Sequence, residues 1–496
     1  MIHQKHDDNR KLNMKGKLTL LLMVMSTWLL AQESAGGQMT LQQCIDYALA
    51  NNVNAKNAAL DREIANARVK ETVGIGLPQI SGTVTAQQSP TQQRFFTTYY
   101  TPDPDEGGIS FINPDVAQEV GIGEGEVVAA ENFFQLKGMG DASLSINQLI
   151  FNGSYFVGLQ AAKTYKDLAV KQASQTKEQV ILGVTKAFYN VLITQERLEL
   201  VESNLKRLDT LFRNTTAMQE NGFAEKIDVD RLKVQLNNLR VGKQDLESLN
   251  DISMKLLKFQ MSYPFEQTLI IDGSLEEAAL SNVQAPLDSF NYAKRPDYQV
   301  MQVNYELQKL NIKNKYAEAI PTLAAYANLG YSTQSPTFGA IFKTESGFED
   351  TETARGTYGP DKWYGYSSIG LRLSWNVFTG LQRNFQIQQE KLTLEKLENG
   401  FESLEQSIDM EIYQSQQNLK NAISKLEVQR ESMDLATSIF DITQIKYQEG
   451  VGSNLEVVEA DNSLKEAQTN YYSALYDAII AQLELKKALG TLYNEQ

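Results

Sequence analysis

Histidine and cysteine are almost absent from this sequence. Its 496 residues include two histidines, His3 and His6, and one cysteine, Cys44. Both histidines lie in the N-terminal segment that we predict below to be a signal peptide, so the mature chain would have none for a catalytic triad or a His-ligated zinc site, and a single cysteine cannot form an internal disulfide. We expect no catalytic residue, no metal site and no cofactor, and therefore no enzyme. Cys44 is expected to be a small buried residue.

Basic clusters are also lacking. The chain carries 46 Lys and Arg against 61 Asp and Glu, a formal net charge of −15 at pH 7. Nucleic-acid binding depends on a basic surface that neutralises phosphates. The composition therefore predicts no nucleic-acid partner.

The longest apolar run lies at the N-terminus, from Leu18 to Ala31, and follows three lysines within seven positions. This pattern is typical of a secretory signal peptide and is too short for a membrane-spanning helix. We predict a signal peptide over residues 1–31 and an exported protein.

Proline is missing from two long tracts, residues 154–263 and 361–496. Apolar residues recur there at three- and four-residue spacing, which is typical of coiled-coil helices. Gly222 and Gly450 interrupt the two tracts, and glycine permits the positive φ of a helix end. We predict long antiparallel helices over 153–221 and 225–263, and again over 380–448 and 453–489.

The same order of features occurs twice in the chain. Asn54 precedes Pro78 by 24 positions, as Asp297 precedes Pro321, and Phe-x-Gly steps follow at residues 151–153 and 378–380. Such internal repetition indicates a duplicated unit. We predict repeat one over 40–263, a connecting segment over 264–287 and repeat two over 288–490, each repeat opening with a helix.

Four segments alternate between apolar and polar residues, about 78–88, 139–152, 321–333 and 366–378. Strands of this kind have one apolar and one polar face, which suits a soluble sandwich or a membrane barrel. Four strands cannot close a barrel, and open strand edges are not tolerated in lipid. A membrane barrel would therefore need several copies of the chain.

The ordered motifs resemble the outer-membrane efflux channel family typified by TolC. They are TLQQCIDYALANN, GLPQIS and AIPTL, the strand-to-helix steps LSINQLIFNG and LRLSWNVFTG, the two glycine turns, and LELKKALGTL. The resemblance implies an α+β membrane protein in which a duplicated β-hairpin and long coiled-coil helices form a homotrimer. Its twelve-stranded β-barrel would continue as an α-helical periplasmic tunnel, with residues 264–287 as an equatorial segment.

This resemblance also implies a passive exit channel in the outer membrane, in contact with outer-membrane lipid. It would serve tripartite efflux or type I secretion, receiving cargo from an inner-membrane pump (RND, ABC or MFS type) through a periplasmic adaptor protein.

The resemblance further assigns residues to the periplasmic entrance. Glu456 and Glu459 match an acidic constriction, which in a trimer would favour cations. The implied entrance turns and adaptor-docking positions are Gly222, Asp228, Gly450 and Gly452, and the implied gate contact is Tyr447; we add Lys226 as a candidate gate contact that the resemblance does not supply. Gly452 stands where the best-known members carry an arginine that helps to hold the entrance shut, so closure is expected to use other contacts.

Two alternatives stay open at this point. The chain could be an exported structural or adhesive coiled-coil protein whose strands form a small soluble sheet. Glu456 and Glu459 could also be solvated charges on an exposed helix face.

Overall fold

The computed structural model describes residues 38–101, 112–130, 132, 135–275, 290–342 and 363–492. The predicted signal peptide and part of the predicted connecting segment, from residue 276 onward, lie outside these residues. The chain divides into two compact units. One contains Met1–Asn66, Thr164–Gln308 and Leu392–Gln496, and we call it the helical unit; the other contains Ala67–Lys163 and Lys309–Lys391, and we call it the sheet unit.

The elements of the first repeat follow in chain order. They are β1 (Gln38–Met39), α1 (Leu41–Asn51), α2 (Val53–Ile75), β2 (Gln79–Gln88), β3 (Phe95–Thr98), α3 (Pro114–Val120), β4 (Val127–Ala130), β5 (Gly138–Phe151), α4 (Gly153–Glu220) and α5 (Lys226–Met261). A two-residue strand, β6 (Ile270–Ile271), pairs in parallel with β1.

The second repeat contains α6 (Pro296–Ala317), β7 (Thr322–Ser335), β8 (Tyr364–Ser374), α7 (Gln382–Gln448) and α8 (Asn454–Ala488). Short 3-10 segments lie at Tyr292–Lys294 and Phe338–Phe342. The long helices α4 and α7 have 68 and 67 residues, and their shorter partners α5 and α8 have 36 and 35. The helices and the long strands thus follow one another in the same order in both repeats.

Two predicted boundaries differ from the structure by more than two residues. The helix of repeat two begins at Pro296 rather than near residue 288, because proline suits the first helical position and disfavours helix in the residue before it. The fourth strand ends at Ser374 rather than at residue 378. There the Trp375 indole N–H donates to the Ala319 carbonyl (3.1 Å), and positive φ at Gly380 turns the chain toward α7.

Within the sheet unit, four strands form an antiparallel sheet in the order β2–β5–β7–β8. The register places side chains of one kind in rows across all four strands. One row consists of Ile80, Ile146, Ala327 and Ile369, and the neighbouring row consists of Ser81, Ser145, Asn328 and Ser368. Because adjacent residues of a strand point to opposite faces, the sheet has one apolar and one polar face.

The two faces of the sheet differ in the contacts that their side chains make. On the apolar face, Ile80 is 67 % exposed and Ile369 is 83 % exposed. On the polar face, the Ser145 hydroxyl donates to Asn328 Oδ1 (2.8 Å), and Asn328 Nδ2 donates to Ser368 Oγ (3.3 Å). The polar side chains are therefore linked to one another, whereas the apolar side chains face outward without cover in the single chain.

The helical unit has its apolar side chains buried between helices. Near the turns at Gly222 and Gly450, α4, α5, α7 and α8 share one cluster, which we call the hairpin core. Its fully or almost fully buried side chains include Leu208, Leu211, Leu232, Leu236, Phe440, Val457 and Leu464. A second cluster, around Phe188 and Leu257, contains Cys44, and burial raises the pKa of its thiol to about 11.

Arg295 joins the start of α6 to α7 and to the end of α8. Its guanidinium donates to Asp297 (2.7 Å), to Glu411 on α7 (2.6 Å) and to the carbonyl of Ala488 at the end of α8 (3.1 Å). Burial opposes ionisation of Asp297 and Glu411, but the hydrogen bond and charge of Arg295 outweigh it and lower both pKa values. This paired cation fixes the end of α8 opposite to its turn.

Among the described residues, no helix is both long enough and apolar enough to cross a membrane.

Candidate functional site

The candidate site consists of the two turns that join α4 to α5 and α7 to α8. At the first turn, Gly222 has φ +80° and its N–H donates to the Gln219 carbonyl (3.0 Å). Phe223 N–H donates to the Met218 carbonyl (2.8 Å). These two bonds are the Schellman motif, which satisfies carbonyls left free at a helix end.

The second turn repeats this geometry. Gly450 has φ +75° and its N–H donates to the Tyr447 carbonyl (3.1 Å), while Val451 N–H donates to the Lys446 carbonyl (3.0 Å). An added Cβ would meet nothing within 4 Å at Gly222 or Gly450. Glycine is therefore needed at both turns for its backbone freedom and not for space. Equivalent residues of the two turns differ by 228 in number.

Glu456 and Glu459 both lie on the exposed side of the first turns of α8. Ser453 caps the helix, because its hydroxyl accepts the Glu456 N–H (3.3 Å). The opposite side of the same turns is buried at Val457 and Ala460. Residues three apart share a helix face, so the two carboxylates lie together on one exposed surface of α8.

The equivalent positions of the first turn carry opposite charges. Asp228 and Arg231 form an ion pair across one helical turn (3.8 Å), and Asp228 also accepts the backbone N–H of Glu225 (3.3 Å). Lys226, a predicted gate contact, is exposed at the start of α5. The first turn thus pairs its acidic residue within its own helix, whereas the second turn presents two neighbouring carboxylates.

Tyr447, the other predicted gate contact, is buried in the hairpin core. Its hydroxyl lies 3.1 Å from Thr215 Oγ1 of α4, and both side chains are less than a tenth exposed. Asp228 has other partners, Arg231 and the backbone N–H of Glu225. In the single chain, then, Tyr447 joins α7 to α4, whereas Asp228 binds residues at the start of its own helix, α5.

Gly452 has a steric reason to be glycine. A Cβ there would lie 3.1 Å from Lys446 Cβ and 3.1 Å from the Tyr447 nitrogen, closer than ordinary van der Waals contact. The Gly452 N–H also donates to the Lys446 carbonyl (3.1 Å). The chain therefore passes close to the end of α7 at the position where the resemblance leads one to expect arginine.

One buried charge of this region was missed from the sequence. Asp461 of α8 is 2 % exposed and pairs with Arg207 of α4. Its position four residues after Val457 and three before Leu464 is a signal, because that spacing places it on the apolar stripe of the helix. The role expected for this segment from its sequence concerned only the two exposed glutamates, Glu456 and Glu459.

The known proteins that this chain resembles are outer-membrane, efflux and secretion proteins. Residues 292–491 match the family model described as outer membrane efflux protein. The chain is 24 % identical over 360 residues to the outer membrane protein TolC of Escherichia coli, covering 72 % of this chain and 70 % of TolC. It is 19 % identical to the alkaline protease secretion protein AprF of Pseudomonas aeruginosa, covering 71 % and 69 %.

The fold is also that of solved channels. The outer membrane channel CmeC of Campylobacter jejuni aligns with a TM-score of 0.65 at 15 % identity, covering 91 % of this chain and 86 % of CmeC. This likeness shows that the chain has the fold of these channels. Together with the curated relatives and the family model, it confirms what the motifs indicated: the chain is related to the outer-membrane efflux channels typified by TolC.

Proposed function

We propose that the chain is a passive exit channel of the outer membrane that acts as a homotrimer. It receives cargo from an inner-membrane pump of the RND, ABC or MFS type through a periplasmic adaptor protein. Relatives are described as efflux and secretion proteins, and the proposal covers both tripartite efflux and type I secretion. At the level of the family the relatives are channels rather than enzymes, and we propose no catalytic step.

The observation that carries this proposal is the two-faced sheet. Its exposed apolar row, Ile80 to Ile369, has the chemistry of a surface that contacts lipid, and its hydrogen-bonded polar row has that of a water-filled lumen. The edge strands are β2 and β8. Three copies, joined edge to edge, would supply twelve strands and leave no open edge in the membrane.

Exposed apolar stripes on two helices support association of several copies. On α5, Val234, Val241 and Ile252 are each more than half exposed. On α7 the stripe consists of Val428, Leu435, Ile439 and Ile442, at spacings of seven, four and three residues. Such spacing suits packing against a further helix. We propose that these stripes face the neighbouring copies in the tunnel wall.

At the turns, we propose that Glu456 and Glu459 form the acidic constriction of the tunnel. Three copies would bring six carboxylates together, a ring that favours cations and repels anions. Gly222, Asp228, Gly450 and Gly452 belong to the same end of the helices, where we propose that the adaptor docks. Lys226 and Tyr447 are proposed to contribute to the closed state.

Membrane fractionation followed by planar-bilayer recording tests this function. We expect the exported protein in the outer-membrane fraction, cross-linking as a trimer and forming cation-selective pores when purified. A soluble product without pore activity would overturn the proposal and favour the coiled-coil alternative, which the relatives do not support.

A further inference from the structure

Asp461 lies on the side of α8 that faces away from the proposed constriction. It follows Glu459 by two residues, which at 3.6 residues per turn corresponds to about 200° around the helix. Glu459 is exposed, whereas Asp461 is enclosed among Val457, Ala460 and Leu464 of the hairpin core. Any rotation or sliding of α8 that disturbs Asp461 therefore also moves the carboxylates of the constriction.

Two cations meet the buried Asp461 carboxylate. Lys465, one turn further along α8, lies 2.5 Å from one oxygen, and Arg207 of α4 lies 3.6 Å from the other. The Arg207 guanidinium also stacks 4.5 Å from the ring centre of Phe440 on α7. Arg207 of α4 thus contacts one side chain on α7 and one on α8.

Neighbouring amides hold Arg207 in place. Arg207 Nη2 donates to Asn204 Oδ1 (2.7 Å), and Asn204 Nδ2 in turn donates to Gln468 Oε1 of α8 (3.1 Å). Asn204, Asp461 and Gln468 are each less than a tenth exposed. The bonds span two turns of α8, so they specify one register of this helix against α4.

This cluster is not part of the duplicated architecture. The equivalent of Arg207 in the second repeat is Leu435, which is 57 % exposed. In the first repeat, the equivalent of Asp461 is Lys233, which is exposed. Buried ion pairs contribute little net stability relative to apolar packing, but they strongly disfavour arrangements that separate them. The cluster therefore suits a role in selecting one helix arrangement.

We propose that Arg207 and Asp461 form a latch that holds α8 in the register in which Glu456 and Glu459 constrict the entrance. This inference rests on the proposed channel function and names the contact that maintains its closed state. The latch takes the place of the arginine that is absent at Gly452. Opening would break the Arg207–Asp461 pair while the helices stay packed, as in other transitions between two discrete helix arrangements.

Planar-bilayer recording of the full-length channel tests the latch with Asp461→Asn and Arg207→Lys. Asp461→Asn removes the charge that Arg207 meets, whereas Arg207→Lys keeps the charge but loses the bond to Asn204 and the stacking on Phe440. We expect Asp461→Asn to raise the ratio of open to closed time by about fivefold, within the range known for contacts that couple two states. Arg207→Lys is expected to give a smaller increase.

The control is Asp477→Asn, which breaks an exposed ion pair of the same helix α8 with a different partner helix, between Lys425 on α7 and Asp477 (3.1 Å). It is expected to leave the gating of the channel unchanged. Cross-linking to the trimer and thermal unfolding show whether each variant folds. If Asp461→Asn does not fold, the more conservative Arg207→Lys decides the outcome.

The outcomes separate the latch from the channel function. A wild-type protein that forms no pores overturns the proposed function and with it the latch. A wild-type protein that conducts, combined with folded Asp461→Asn and Arg207→Lys variants whose open and closed times match those of the wild type, overturns the latch alone. Equal effects of Asp477→Asn and Asp461→Asn would also overturn it.

Discussion

The two turns of this chain share a backbone and differ in their charges. Gly222 and Gly450 have φ values of +80° and +75° and end their helices through the same pair of hydrogen bonds. Three residues after each glycine the next helix is capped, and one turn later the copies diverge. The first copy has the pair Asp228 and Arg231, and the second has Glu456 and Glu459.

This difference shows which properties of the turns follow from the duplicated fold. The helix ends are dictated by the hairpin and are the same in both copies, and the equivalent residues Leu236 and Leu464 are both buried. The net charge of the exposed helix face is not dictated by it, because exposed side chains contribute little to folding. We therefore attribute the shared features to architecture and, in line with the proposed constriction, the two exposed carboxylates of the second copy to function.

Core substitutions at equivalent positions are expected to have the largest effect on stability. Leu236 and Leu464 are 3 % and 0 % exposed and occupy the same position in α5 and α8. We expect Leu236→Ala and Leu464→Ala each to lower the free energy of unfolding by about 2–5 kcal/mol. Denaturant unfolding in detergent measures this, with the exposed Asn237→Ala as control. An effect in only one copy would contradict the equivalence of the turns.

Substitution of the turn glycines should have the next largest effect on stability. Gly222→Ala and Gly450→Ala are each expected to cost about 1–2 kcal/mol, because alanine disfavours positive φ. Gly242→Ala is the matched control, since Gly242 lies inside α5 and an added Cβ meets nothing within 4 Å. It should instead stabilise the protein by about 1 kcal/mol. Thermal unfolding that gave all three variants the same sign would refute this account.

Tyr447 distinguishes the copies within the core. Tyr447→Phe removes the partner of the fully buried Thr215 hydroxyl and should cost about 1–2 kcal/mol. Thr443, the equivalent of Thr215, is only half-buried, and its hydroxyl donates to the Ile439 carbonyl of its own helix. Thr443→Val should therefore have little effect in the same unfolding measurement. Equal losses from the two variants would show that the pair with Tyr447 is not special.

The Asp228–Arg231 pair should have the smallest effect on stability. We expect Arg231→Gln to change the free energy of unfolding by less than about 0.5 kcal/mol, because exposed ion pairs are screened by water. Conductance should also stay close to that of the wild type, since this pair is not part of the proposed constriction. A large loss in either measurement would mean that the first turn does more than complete the hairpin.

Much of this architecture could be predicted from the sequence, for identifiable reasons. Gly222 and Gly450 interrupt long periodic tracts, and the alternation around Ile369 gives the two faces of β8. The end of β8 at Ser374 was not foreseen, and the contact found there, from the Trp375 indole to the distant Ala319 carbonyl, leaves no signal in the local sequence. The place of Asp461 on the apolar stripe of α8 signals its burial, but its pairing with Arg207 could not be foreseen, because Arg207 lies on another helix.

The most direct test of the account is the block of single-channel current by multivalent cations from the side of the entrance turns. We predict that Glu456→Gln combined with Glu459→Gln abolishes this block and weakens cation preference. The same changes in charge at the first turn, Asp228→Asn and Asp230→Asn, should leave both nearly intact. If the block persisted without Glu456 and Glu459, the carboxylates of the second turn would not form the constriction.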